Sequence, residues 1–233
     1  VGRAAPLAAV AVAAAAVVAA APAATSPAAL RDAIFAAARA QRSLHYVARP
    51  RGPGGAATIV ADVAAASGVQ RIAFRQGSEA GRATVRVVRR TAYIRGDAFT
   101  LRGFFGFSAS QARRYAGVWI SIGHRSSAYA AVAAAVTSGS FLAEIYPQAD
   151  LVRVSGSFAG RRLVGVRGTA RHEGAQLVET VYARAAGTPL PVLERERGAA
   201  GYRAVTEIGP WNRPLRVRAP AHAVPFSRVV VRQ

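Results

Sequence analysis

Apolar and polar positions alternate with a period of two over most of this chain, and the departures from that period mark its helices. The first departure follows residue 25. Leu30, Ile34, Ala37 and Leu44 recur at helical spacing, while Arg31, Asp32, Arg39 and Arg42 fall mostly elsewhere around the axis. Ser26 suits an N-cap and Pro27 the first helical position, where its missing N–H costs nothing, so a helix is predicted from Pro27 to near Ser43. Short strands follow, each bounded by Gly, Pro or Ser. Leu44–Ala48 runs into Pro50 and the hairpin loop Arg51-Gly52-Pro53-Gly54-Gly55, and Thr58–Val63 ends near Ser67-Gly68. In Arg71–Arg75, Ile72 and Phe74 oppose Arg71 and Arg75; in Arg82–Arg90, Val85 and Val87 oppose Arg86 and Arg90. Ala92–Arg95 completes this block. Strands of this kind have one buried and one wet face, which suits an antiparallel sheet with much of the arginine on its wet side.

The middle of the chain changes character. Between Asp97 and Gly117 come a turn, an apolar cluster (Phe99, Leu101, Phe104, Phe105, Phe107) and a short helix opened by the capping-box pair Ser108 and Gln111, ending near Tyr115. Val118–Ile122 is a strand, Ala128 to about Val136 a second Ala-rich helix, and Phe141–Tyr146 a helical or irregular apolar stretch. Strands then return at Leu151–Ser155, Arg162–Arg167, Gln176–Arg184, Val192–Arg197, Tyr202–Ile208 and Leu215–Ala219. Strand blocks separated by a helical insertion argue for an α+β fold, and the two blocks are alike enough in style to form one domain, residues 25–233.

Composition adds location. Val1-Gly2-Arg3, the apolar run Leu7 to Ala21 and the small residues of Ala21-Pro22-Ala23 have the layout of a secretory signal over residues 1–24, so the chain is expected to be exported to the envelope space or secreted. The run is nearly all Ala and Val, a poor membrane span; a retained signal anchor and a low-complexity tail are the other readings. The chain contains no Cys, which excludes disulfides, thiolate catalysis and Cys-ligated metals. Its formal net charge is +20, and all 31 basic residues are Arg. A bias towards Ala, Arg, Gly and Val accounts for the missing Lys, but not for the excess of base over acid. Such a surface is drawn to anionic membranes, wall polymers or nucleic acid, or serves solubility alone.

Catalytic patterns are absent. His45, His124, His172 and His222 are widely spaced, so no metal site is expected. Gly106-Phe107-Ser108-Ala109-Ser110 lacks the final Gly of a nucleophile elbow, and no P-loop occurs. Glu194 and Glu196 alternate with Arg195 and Arg197, the pattern of a solvated, charge-balanced strand rather than an acid–base pair. The chain is therefore expected to be no enzyme and to need no cofactor.

One feature asks for a function. The insertion is richer in aromatics than a surface connection requires, and they cluster away from the Arg-rich strands, which disfavours nucleic acid. It either completes the core or closes an apolar cavity in which an acyl chain could lie. For the second reading the expected lining is Phe104, Phe105, Phe107, Phe141, Leu142 and Tyr146.

The order of helix, strand block, Ala92-Tyr93-Ile94-Arg95-Gly96, helical insertion and Tyr115-Ala116-Gly117-Val118-Trp119-Ile120-Ser121-Ile122 resembles the LolA/LolB-like half-barrel superfamily. It looks closest to the LppX/LprG-type envelope lipoproteins. The Gly187-Thr188-Pro189-Leu190-Pro191-Val192 turn and the closing Trp211-x-x-Pro214-Leu215-x-Val217-x-Ala219-Pro220 fit as well, so the resemblance spans most of residues 27–225. It implies a strongly curved antiparallel sheet, an incomplete β-barrel of about ten strands, with helices on the concave face. It also implies a cavity for lipids or lipoprotein acyl chains, and offers no catalytic residues to transfer. Those relatives carry a lipobox Cys after the signal; this chain has none, so an acyl tether is not expected. The leading expectation is thus a monomeric, exported binding protein or carrier for lipids or acylated amphiphiles. The alternatives are an envelope structural or interaction module that holds anionic polymers without a small ligand, and an exported enzyme of unknown chemistry.

Overall fold

The structure, a computed structural model, describes residues 26–172 and 174–229. The expected secretory signal at residues 1–24 lies outside the described residues. The first helix, α1 (Pro27–Arg39), starts where its sequence says it should, with the Ser26 side chain accepting a hydrogen bond from the Ala29 amide at 3.2 Å. It stops four residues before Ser43, because Ser43 already belongs to a strand: it pairs with Ala64, and its carbonyl accepts the Asn212 amide at 2.8 Å.

Two meanders build the sheet. The first comprises β1 (Ser43–Ala48), β2 (Arg51–Gly52), β3 (Gly55–Ala64), β4 (Ser67–Gln76), β5 (Glu79–Val88), β6 (Thr91–Gly96) and, after the first part of the insertion, β7 (Ile120–Gly123). The second comprises β8 (Ala149–Phe158), β9 (Arg161–His172), β10 (Ala175–Arg184), β11 (Pro191–Arg197) and β12 (Arg203–Trp211). β12 returns to pair with β1, so the two meanders fuse into one sheet, and β13 (Val224–Pro225) adds to the far edge beside β7. The order is β13-β7-β6-β5-β4-β3-β1-β12-β11-β10-β9-β8, with β2 bridging β12 and β3. Among the described residues, only the β13–β7 pairing is parallel. The sheet is curved and does not close into a barrel.

Register explains why one face is covered. Directly opposed residues share a face, and the row Ile120, Ile94, Val85, Gln70, Ala61, Tyr46, Ile208 crosses seven adjacent strands with every member buried. Over this face lie α1 and the insertion helices α2 (Ala98–Gly103), α3 (Ala109–Tyr115), α4 (Ala128–Ala133) and α5 (Ser138–Glu144), with α6 (Phe226–Val229) at the β7 edge. The Ser108–Gln111 capping box forms at the start of α3, and Thr137 and Ser140 make a second one on α5. No described helix is long and apolar enough to cross a membrane.

One strand expectation fails. Leu215–Ala219 alternates as foreseen, with Leu215 and Val217 half-buried between exposed arginines, but it forms no strand. Pro214 and Pro220 cannot donate to a ladder, and the Arg218 carbonyl takes the Arg86 side chain (3.3 Å) instead of a backbone partner. The segment after Trp211 therefore crosses to β13 as an unpaired strap that meets the open face at Arg86.

Candidate lipid-binding interior

Helices and sheet enclose two apolar clusters, and the six residues expected to line a cavity divide evenly between them. Phe107 is buried among β3–β7, α3 and α6, where it meets the Phe226 ring edge-on at 6.3 Å. Phe105 packs half-buried on the same cluster. Phe104 remains 38% exposed but touches both Phe105 (5.1 Å) and Phe74 (5.6 Å), and Phe74 also stacks on Phe99 at 5.5 Å. Phe141 and Leu142 lie in the other cluster, each 2% exposed, among α1, β1, β9 and β10. Tyr146 borders it: its ring meets Phe35 edge-on at 4.7 Å, its hydroxyl donates to Asp32 at 2.9 Å, and the Arg31 guanidinium lies over it at 4.6 Å. Asp32 is held below the usual carboxylate range, first by Arg31 and then by that hydroxyl. The structure thus brings together two trios, not one sextet.

A polar seam lies between the trios. Tyr46 stacks on Phe141 (4.3 Å between centroids, 15° between planes), and its hydroxyl donates to the Ala135 carbonyl at 2.8 Å while accepting from Gln70 Nε2. Ala61 stands between Tyr46 and Gln70 in the buried row, and its small side chain lets the two meet. Burial pushes the Tyr46 phenol well above its ordinary value, so it stays a donor throughout the physiological range. The α4–α5 connection is seated tightly here. A Cβ added to Gly68 would lie 1.8 Å from the Val136 carbonyl oxygen, so only glycine lets the connection approach β4 this closely. Ile59 packs on both clusters and joins them.

Beyond the seam, the covered face turns acidic, and one sequence expectation is overturned. Glu194 and Glu196 are not on a solvated strand: Glu194 is 1% exposed, next to Thr206 in register, and Glu196 is half-buried opposite the fully buried Glu179. The period of two assigned these residues to one face correctly; a run of alternating Glu and Arg holds no apolar residue to say which face is covered. Burial pushes the Glu194 carboxyl well above its ordinary value, reinforced by Glu196 and Glu179 and opposed by the Thr206 hydrogen bond. The Tyr202 hydroxyl donates to Glu196 at 2.9 Å, and its phenol is also raised, mainly by burial. Two signals for these positions stood in the sequence. Gln70 shares parity with Ile72 and Phe74, and Glu179 with Leu177 and Val181: each is a polar residue inside an otherwise apolar row.

Clefts open on the surface of the described residues. One of about 650 Å³ lies at the ends of β3–β5, around Ala57, Phe74 and Gly81. Another of about 660 Å³, lined by Phe158, Leu163, Leu190, Ile208 and Trp211 with Arg161 and Arg184, sits where β8–β12 end. A third, about 570 Å³, is arginine-rich and lies over β4–β6. None of the six expected residues lines these clefts. Among the described residues, no group of three or more His, Asp or Glu is placed to hold a metal ion.

No protein-family model matches the chain, and no curated protein matches it in sequence. Solved structures do match. LprF from Mycobacterium bovis superposes with a TM-score of 0.54 at 14% identity, covering 83% of this chain and 96% of that one. The Mycobacterium tuberculosis lipoprotein LppX gives a TM-score of 0.50 at 15% identity, covering 83% of this chain and all of that one. At such identity the likeness is one of fold, and it extends over nearly the whole described chain: a curved, open antiparallel sheet with its helices on one face is the architecture this protein shares with LprF and LppX.

Proposed function

We propose that the protein is an exported, non-enzymatic carrier or binding protein for lipids or acylated amphiphiles, with the acyl chain lodged between the covered face of the sheet and the insertion helices. The observation that carries this reading is the helix-covered apolar face of an unclosed sheet, in the fold shared with the lipoprotein LppX. The two aromatic trios give a chain two apolar walls, Phe104, Phe105 and Phe107 on one side of the seam and Phe141, Leu142 and Tyr146 on the other. Phe104 and Phe105 already lie towards the surface and mark the entrance. Entry requires the stretch that follows α2, where Phe104 is 38% exposed and Phe105 half-buried, to move apart from the sheet. Carboxylates at the far end of the covered face favour a neutral or hydroxylated head group over an anionic one. The arginine-rich open face suits work against an anionic membrane or wall surface, as a monomer.

The test is the Phe104→Ser/Phe105→Ser double variant. It is expected to keep the far-ultraviolet circular dichroism spectrum and to lose uptake of a fluorescent acyl chain. Unchanged uptake by the folded variant would count against the entrance.

A further inference from the structure

The open face of β4–β6 carries an arrangement that neither the fold nor the covered interior requires. Arg71 on β4, Thr84 on β5 and Arg95 on β6 form one cross-strand row, and Arg82 and Arg86 stand two residues to either side of Thr84. Each of Arg71 and Arg95 is therefore a diagonal neighbour of both Arg82 and Arg86, at about 7–8 Å, within reach of long side chains. Four guanidinium groups surround one hydroxyl, and all five residues line the same cleft of about 570 Å³, together with Trp119.

Little on the protein answers this charge. Among the described residues, Arg82, Arg86 and Arg95 form no ion pair with a carboxylate. Arg71 lies 3.9 Å from Asp62, whose other oxygen is engaged by His45 at 2.9 Å. Asp97 also borders the cleft, but its carboxylate accepts the backbone amides of Arg82 and Thr100. Arg86 is fixed in place: its guanidinium lies 4.7 Å over the Trp119 ring and donates to the Arg218 carbonyl of the strap. Like charges at diagonal positions repel, and an anion seated among them relieves that repulsion.

We propose that this cleft is a phosphate-binding site by which the protein docks on the surface of an anionic phospholipid bilayer. Guanidinium forks match phosphate oxygens in pairs, and the Thr84 hydroxyl supplies a further polar group at the centre. The site lies on the face opposite the one proposed to hold acyl chains, so the phosphate it grips belongs to a bilayer lipid and not to cargo. Nucleic acid fits less well, because Trp119, the aromatic residue lining the cleft, lies under Arg86 and is not free to stack on a base. Docking by this face leaves the helices turned away from the bilayer, so the site works as a tether and loading occurs by release and re-docking.

The experiment is vesicle co-sedimentation of the full chain. Phosphatidylcholine vesicles containing roughly a third phosphatidylglycerol are expected to bind the protein, and pure phosphatidylcholine to bind it poorly; Arg82→Gln/Arg95→Gln is expected to weaken binding about thirty-fold. Both arginines are exposed, so the variant should keep the wild-type circular dichroism spectrum and acyl-chain uptake, which separates this result from any failure of the carrier reading. The charge-matched control Arg161→Gln/Arg184→Gln, at the other end of the sheet, is expected to bind anionic vesicles within about threefold of wild type. Equal loss in both variants would reduce the site to diffuse charge and overturn it. So would tighter binding to duplex DNA than to anionic vesicles, or saturable binding of inorganic phosphate by a protein that ignores the vesicles.

Discussion

The two meanders of this sheet use the same strand grammar and distribute their polar residues in opposite ways. In β3–β7 the arginines face out and the covered rows are apolar but for Gln70, which the Tyr46 hydroxyl satisfies. In β8–β12 the carboxylates of Glu179 and Glu194 are buried with Thr206, while Val152, Val178 and Val205 are 46%, 40% and 39% exposed. Val178 and Val205 lie opposite Arg197 and Arg195, so these valines share the open face with arginine. A shared strand pattern therefore does not mean a shared energetic logic. The first meander is held by ordinary apolar burial and leaves its charge free for a partner. The second carries buried acid that costs stability whenever it ionises.

Truncation in the packed interior should have the largest effect. Phe141→Ala removes a ring stacked on Tyr46 and is expected to cost about 3–5 kcal/mol in urea unfolding, whereas Phe104→Ala, at a 38% exposed position, should cost well under half of that. Equal costs would mean that the two aromatic trios are not different in kind. The seam comes next. Gly68→Ala drives a methyl group into the Val136 carbonyl and is expected to cost about 1–3 kcal/mol, with faster hydrogen exchange along α4 and α5 but not along β8–β10. Exchange that rises uniformly would show that the connection and the sheet open as one unit.

The smallest effect at acid pH is the most specific one. The folded-state pKa of Glu194 lies above its ordinary value of 4.5, so the native state holds that proton more tightly than the unfolded chain does. Its contribution is fully present below that value and is lost as pH rises through the raised folded-state value. Glu194→Gln should thus change the melting temperature little near pH 4.5 and raise it increasingly towards neutral and alkaline pH. A variant that loses stability equally at every pH would show that the carboxyl is held for its shape and not for its proton.

How much of this was legible in the sequence follows from the same contrast. The strands of β3–β6 could be read because Ile72, Phe74, Val85 and Val87 alternate with arginine, and apolar residues name the covered face. The capping box at Ser108 and Gln111 and the N-cap at Ser26 could be read because each is a local hydrogen bond between near neighbours. What could not be read depends on partners far along the chain. Glu194 is buried because β12 and β10 flank its strand, and the Leu215–Ala219 segment is held at Arg218 by the side chain of Arg86, 132 residues away, and not by a neighbouring strand. The six aromatic and aliphatic residues were recognisable as covering the sheet; their division into two trios came from a seam whose members, Tyr46, Gln70 and Ala135, are up to 89 residues apart. The arginine ring around Thr84 needed the registers of β4, β5 and β6 together, which alternation alone does not fix.

In the proposed function, acyl chains lodge between the covered face and the insertion helices. Photolabelling with a diazirine-bearing fatty acid, followed by peptide mass spectrometry, tests it most directly. Adducts are expected on Phe104, Phe105 and Phe107, on Phe141 and Leu142 of α5 and on Tyr146 just after it, and excess unlabelled fatty acid should compete them away. Labelling confined to the surface cleft around Phe158, Leu190 and Trp211, or labelling that unlabelled fatty acid does not reduce, would contradict it.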